Sequence, residues 1–263
     1  MVEKVRFQTQ EIAHEVAPGV LRMTIEDGEW GFGSPNFYII SGKSGSVVID
    51  SGTGSTKELR LFKKTWEGKR RMPIKAVVVT HNHFDHDGGS GDISGIVGAP
   101  LIGGLGEAEE EQIIDLGGRR IGIFPTPGHT KDSLCVWDNK TNGLFTGDTI
   151  IEDVSVVVSD MTAYNKTLEE LRKLASDIIF PGHGNPIPNA PHKIQEYITR
   201  THRRERMIVK FIQRGLTDEG LLAKRMYPND NWGAGRGQIH AHLKKLQQEG
   251  RVEESDGKLK ILK

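Results

Sequence analysis

Residues 77–89, VVVTHNHFDHDGG, constrain this chain more than any other stretch. Three valines run straight into three histidines and two aspartates, crowded between His81 and Asp87. A continuous apolar run reads as a strand buried on both faces, so these polar groups gather at the mouth of a core strand. Side chains two apart on extended chain share a face, which lets His81 and His83 aim the same way. Asp85 and His86 sit just beyond, where the chain can bend toward a second point. Zinc takes about four ligands, imidazole nitrogen and carboxylate oxygen among them, so the cluster already suggests more than one ion. His129 in TPGHT, Asp148 in FTGDT and His183 in PGHG each follow a β-like run and a glycine. A glycine lets the backbone turn and aim the next side chain into a shared cleft. One lone histidine would read as solvated loop; seven donors on several strand ends read as a metal centre.

The rest of the chain supplies a setting for such a centre. Short β-rich segments run from about residue 5 to residue 50, including VLRMTI, NFYII and SVVID, separated by turn-rich APG, EDGEWGFGSP and SGKSG. STKELRLFKKTWEGK is an amphipathic helix with Leu59, Phe62 and Trp66 at helical spacing. PIKAVVVT is the buried strand, and the histidine motif follows it on a loop. APLIGG, RRIGIFPTPG, LCVWDN and GLFTGD are further strands, then come a helix over residues 165–176 and a last strand, DIIFPGHG. Many short strands with a few helices between them predict packed sheets with helices outside, an α/β (α+β) class.

The last quarter changes character. From Pro191 onward the chain carries 16 Lys and Arg against 9 Asp and Glu, leaving 19 against 26 before that point. Three amphipathic helices follow, the second with Thr217 as its expected N-cap. The sequence then reads as strand, tight turn at Asp256-Gly257 and strand. Three helices and a hairpin are the layout of a winged helix, so the expected division is residues 1–188 and 189–263. No apolar run approaches the roughly 18 to 20 residues of a membrane helix, and the N-terminus lacks the apolar centre of a secretory signal. The single cysteine, Cys135, excludes an internal disulfide and fits a core strand in a reducing, cytoplasmic setting.

The motif HxHxDH, filled here by His81, His83, Asp85 and His86 and followed by His129, Asp148 and His183, resembles that of the metallo-β-lactamase superfamily. The resemblance implies an αββα sandwich with a metal cleft along one edge. It implies that His81, His83 and His129 hold one metal, that Asp85, His86 and His183 hold the other, and that Asp148 bridges them. Two Zn2+ are the implied ions, because a histidine at position 83 replaces the harder glutamate of diiron relatives; Mn2+ or Fe2+ remains open on ligand type. Asp50 matches the superfamily's early aspartate, which orients the ligand loop without touching metal. Asp85 is the expected catalytic residue, orienting a metal-bridging hydroxide and handing a proton to the leaving group. Asp87 departs from the usual small residue and is left as an acceptor, a cap or an exposed group.

The tail resembles the winged helix of the β-lactamase-like protein 2 group, through HRRERMIVKFI and IHAHLKKLQQEGRV. That group leaves two substrate classes open, single-stranded RNA cut as by an endoribonuclease and a small-molecule ester or thioester. Arg203, Arg204, Arg206, Lys244 and Lys245 are the candidate phosphate contacts; equally, they are solvated helix faces of a tail that walls the cleft. Tyr197, Phe211, Tyr227 and Trp232 are the few aromatics there that could stack on bases. The competing reading is a nucleic-acid-binding regulator whose lactamase-like domain senses metal. No membrane association is expected, and a homo-oligomer is compatible with the sequence.

Overall fold

A computed structural model describes residues 10–26, 33–68, 72–104, 111–152, 156–229 and 234–262. The expected strand residues 5–9, much of the turn-rich segment near Trp30, and Trp232 lie outside the described residues. The chain separates into two compact units, one of residues 1–126, 132–155 and 176–190, the other of residues 127–131, 156–175 and 191–263.

The first unit holds two six-stranded sheets. One runs in sequence order through β1 (Gln10–Ala17), β2 (Val20–Glu26), β3 (Phe37–Ser41), β4 (Ser46–Ile49), β5 (Ile74–Val78) and β6 (Leu101–Ile102). Between these strands lie α1 (Thr56–Gly68), α2 (Phe84–Asp87) and α3 (Ser90–Val97). The other sheet is built from β7 (Gln112–Asp115), β8 (Arg120–Pro125), β9 (Leu134–Asp138), β10 (Gly143–Gly147), β11 (Ile178–Pro181) and β12 (Ile187–Pro188).

Alternation along each strand decides which side chains meet, because successive residues face opposite sides of a sheet. Tyr38 and Ile40 on β3 and Val47 and Ile49 on β4 point into a shared core with Ile121, Val136, Phe145 and Phe180 of the second sheet. Their neighbours Phe37, Ile39 and Val48 point the other way, onto Leu61 and Phe62 of α1 and Ile93 of α3. Both faces of the central strands β3 and β4 are therefore dry, and β5 is buried from Ala76 to Val78 as its run of valines requires. The pairs β4–β5, β5–β6 and β10–β11 are parallel. The carboxyl ends of parallel strands are where open α/β sheets place ligands.

Four elements of this unit differ from the sequence reading: α2, α3 and the short strands β7 and β12, which its strand pattern omits. The second half of the histidine motif is not loop but the one-turn α2, with the His86 and Asp87 amides donating to His83 O. The glycine-rich SGDISGIV forms α3, ended by Gly98 in the left-handed conformation at φ 67°.

In the second unit α4 (Met161–Lys173) starts four residues earlier than its apolar pattern indicates. The cause is Asp160, whose side chain caps the helix by accepting from Ala163 N at 3.0 Å. Downstream come α5 (Ala190–Gln213), α6 (Glu219–Met226), α7 (Ala234–Gln248) and the hairpin β13 (Val252–Ser255) and β14 (Lys258–Ile261). Ile208, Ile212, Leu222, Ile239, Leu243, Leu246, Val252 and Leu259 form their common core. The N-cap of α6 is Asp218, not Thr217: its carboxylate accepts from Leu221 N at 2.8 Å, while Thr217 O is held by Leu259 N. Asp256 and Gly257, at φ 51° and 69°, make the hairpin turn that the sequence predicts.

Candidate metal centre

Four of the seven donors lie just beyond strand ends, while Asp85 and His86 stand on α2 and His83 immediately precedes it. His81 follows β5, His129 follows β8, Asp148 follows β10 and His183 follows β11. The structure gathers them into two groups. His81, His83, His129 and Asp148 present ligand atoms within 4.8 Å of one another, and so do Asp85, His86 and His183. Asp148 also faces the second group, with Oδ1 at 3.4 Å from His86 Nε2 and 3.6 Å from His183 Nε2. His81, His86 and His183 are buried, whereas His83 is exposed.

The outer nitrogen of each buried ring decides what the inner one can do. His129 Nδ1 donates to Val157 O at 2.6 Å and His183 Nδ1 to Gly33 O at 2.8 Å. A carbonyl only accepts, so both Nδ1 atoms carry a proton, and in the neutral ring each Nε2 then presents a lone pair. His86 Nδ1 meets the Asp50 carboxylate at 2.9 Å, with the same consequence for its neutral form. Thr80 Oγ1 donates to Asp50 Oδ2 at 2.9 Å and must therefore accept from His81 Nδ1 at 3.1 Å. The inner nitrogens then lie close together, His81 Nε2 2.9 Å from His83 Nδ1 and His86 Nε2 3.2 Å from His183 Nε2. Lone pairs converging at these distances, interleaved with carboxylate oxygens, fit cations of the zinc type.

Charge reinforces the point. Burial works against a charge on His86, but Asp148 and Asp50 outweigh it and hold its pKa well above the usual value. Burial likewise opposes ionisation of Asp148 and Asp85, yet the surrounding histidines keep both below the ordinary carboxylate range. The carboxylates are thus negative at neutral pH and demand a positive neighbour, whether proton or metal.

Asp50 closes β4 at φ 58°, a left-handed backbone that Asp tolerates better than most residues. Its Oδ1 accepts from Thr80 N at 2.7 Å and its Oδ2 takes Thr80 Oγ1 and His86. It touches the His86 ring directly and His81 only through Thr80, and is not itself in either donor group. Asp87 is also outside both groups and accepts from the Ser90 hydroxyl. Gly182 has to lack a side chain: a Cβ there would strike Asp148 Oδ1 and His86 Cε1. The sequence pattern marks Gly182 as a turn-former but not as a space-maker; Thr80 and the carbonyls of Gly33 and Val157 are not marked by it, and of these only Thr80, directly before His81, has a local signal.

The candidate phosphate contacts fare unevenly. Arg203, Arg206 and Lys244 are exposed. Arg204 is half-buried and lies over the Tyr227 ring at 5.6 Å. Lys245 is a correction: it is buried, with Nζ 3.0 Å from Glu205 and 2.6 Å from Glu249, so its charge is already matched inside the unit. Arg200 covers Tyr197 at 4.9 Å and Arg225 covers Phe211 at 5.7 Å, so one face of each of these rings is already occupied. Among the described residues no helix is long and apolar enough to cross a membrane.

Comparison with known proteins agrees with this geometry. The metallo-beta-lactamase superfamily profile matches residues 30–110 and 102–183, and that of the beta-lactamase associated winged helix domain matches residues 221–258. An atrochrysone carboxyl ACP thioesterase of Paecilomyces divaricatus is 28% identical over 218 residues, 80% of this chain and 69% of that protein. A beta-lactamase-like protein 2 homolog of Drosophila melanogaster is 29% identical over 249 residues, covering 82% of this chain and 83% of its own length. A beta-lactamase domain protein from Burkholderia ambifaria shares the fold at TM-score 0.78 and 17% identity, over 95% of this chain and 93% of its own. With the donor motif, the paired sheets and the matched tail in one sequence, the chain belongs to the metallo-β-lactamase superfamily of hydrolases and carries that superfamily's associated winged helix.

Proposed function

We propose that the chain is a dinuclear zinc hydrolase of an ester or thioester, with residues 1–188 as the catalytic domain and 189–263 as the winged-helix domain. The observation that carries this reading is the anchoring of His81, His86, His129 and His183 through their outer nitrogens, which turns four lone pairs inward. His81, His83 and His129 would hold one ion, Asp85, His86 and His183 the other, and Asp148 both. Bound zinc supplies Lewis acidity and brings a water into its nucleophilic form near neutral pH. Asp85, ionised and 13% exposed in its side chain, can take a proton from that water and pass it to the leaving group. Asp50 keeps His86 in the tautomer that the centre needs.

Thioester chemistry is favoured over RNA by two supports. The fungal relative at 28% identity is named a carrier-protein thioesterase. In the tail, Lys245 is ion-paired and the rings of Tyr197, Phe211 and Tyr227 each have one face covered by an arginine. The test is a parallel assay of zinc-loaded protein on an acyl thioester, a lactone and single-stranded RNA. We expect thioester or lactone turnover that a chelator and His81→Ala both abolish. RNA cleavage alone would replace this reading with the endoribonuclease one. Nucleic-acid binding that survives Asp148→Ala, with no turnover of any substrate, would replace it with the metal-sensing regulator.

A further inference from the structure

His183 is the donor least controlled by its own stretch of chain. It sits between Gly182 and Gly184, the latter at φ 81°, in a short link between β11 and β12. Glycines on both sides give the backbone wide freedom, so neighbours in sequence do not fix where the imidazole goes. The control comes from the other sheet, through three buried polar residues. Tyr38 Oη donates to Pro181 O at 2.7 Å, and burial pushes its pKa up, so it stays a donor. Arg22 Nη1 donates to Gly184 O at 3.1 Å and to Asn185 Oδ1 at 2.9 Å.

Asn36, 1% exposed, does the most. Its backbone N–H donates to Gly182 O at 2.7 Å, while its side-chain Nδ2 donates to Pro181 O at 3.1 Å and Gly184 O at 2.8 Å. The two side-chain bonds fall on either side of His183, and the amide nitrogen gives one proton to each carbonyl. Next to it, Pro35 bridges His183, and Gly33 O takes the His183 Nδ1 proton. One short segment therefore sets both the position of the histidine and its tautomer.

We propose that Asn36 is a positioning residue for His183, and through it for the cation held by Asp85, His86 and His183, which rests on the dinuclear reading above. Asn36 touches neither substrate nor ion. Replacing its NH2 by oxygen, in Asn36→Asp, sets an acceptor against two carbonyls and releases the segment on both sides of the histidine. The group of His81, His83, His129 and Asp148 makes no use of Asn36 and should keep its affinity.

The test is zinc binding to the full chain, by metal analysis after dialysis and by calorimetric titration, alongside the nitrogen NMR spectrum of the metal-free histidines. The wild type is expected to bind two equivalents, and Asn36→Asp to keep one at wild-type affinity and weaken the other about 10- to 100-fold. His183→Ala should lose the same equivalent, and the double variant should be no worse than His183→Ala, as expected for two residues acting on one site. In the metal-free spectrum the His183 resonance should leave its Nδ1-protonated position in Asn36→Asp. Equal loss of both equivalents, loss of neither, or an unmoved His183 resonance would overturn the proposal. If the wild type bound fewer than two ions, the dinuclear reading would fail while the His183 resonance still judged the role of Asn36. If Asn36→Asp did not fold, Asn36→Ala, which keeps the backbone donor, would be read in the same way.

Discussion

Glu205 offers a stability prediction whose size can be worked from the structure. It lies on α5, 4% exposed, with Lys245 Nζ at 3.0 Å, His242 Nδ1 at 3.7 Å and Arg251 Nη1 at 3.7 Å. Burial opposes its charge, but His242 and Lys245 outweigh that and bring its pKa from 4.5 down to about 2. At about 1.4 kcal/mol per pH unit, that drop is worth about 3 kcal/mol to the folded state. Because the folded value is the lower one, the contribution is complete above pH 4.5 and is lost as pH falls toward 2. Glu205→Gln keeps the shape and removes the charge. Its unfolding free energy in urea, followed by far-ultraviolet circular dichroism, should lie about 3 kcal/mol below wild type at pH 7 and converge on it in acid. His242 adds an earlier window of the same sign: burial lowers its pKa against the pull of Glu205, so stability starts to fall as pH drops below about 6.5. Glu205→Gln should retain that earlier fall and lose the later one. A constant gap between the two proteins from pH 7 to pH 3 would refute the electrostatic account and leave only altered packing.

Other perturbations separate the remaining roles. Asp50→Asn turns a donor toward His86 Nδ1 and forces the wrong tautomer, so zinc affinity by calorimetry should fall about 10- to 100-fold with the fold retained. Zinc added to metal-free protein at pH 7 should release protons, because Asp148 and Asp50 keep His86 protonated until an ion displaces its proton; calorimetry in two buffers of different ionisation heat measures this. Cys135 is buried with its pKa pushed up to about 12, so native protein should resist iodoacetamide, and modification seen by mass spectrometry should require unfolding. Asp218→Ala should cost about 1 kcal/mol in thermal unfolding, while Thr217→Ala, which removes no cap, should cost less.

How far these features could be read from the sequence depended on the range of the contact. His81, His83, Asp85 and His86 declared themselves because their spacing is local and β5 ahead of them is unmistakably apolar. His129, Asp148 and His183 could be found because glycine and a strand precede each. The tail's three helices and hairpin followed from amphipathic spacing and the Asp256-Gly257 turn. What failed was also local in cause. The helix α3 was hidden because Gly91 and Gly95 break its apolar pattern, and α2 because a single turn leaves no period to detect. Lys245 looked like its neighbour Lys244, yet adjacent positions on a helix point about 100° apart, and only one of them meets Glu205.

The aim of the donors lay beyond any local signal. The outer nitrogens that aim the rings are held by Thr80, Asp50, Gly33 and Val157, and the last two act through bare carbonyls whose residue type is immaterial. Asn36 meets Pro181 and Gly184 only after two sheets have packed on a common core. A motif of the form HxHxDH therefore announces which atoms can bind, while the second sheet decides where they point. That division has a physical consequence for substitutions. Changes at the donors remove a ligand outright, but changes at Asn36, Arg22 or Tyr38 leave every ligand in place and loosen only its aim. Since imidazole binds through one lone pair along one direction, a loosened aim weakens affinity without altering the donor set. Two chains with the same motif can thus differ widely in how tightly Asp85, His86 and His183 would hold an ion, and the residues to compare are those gripping the 181–185 segment.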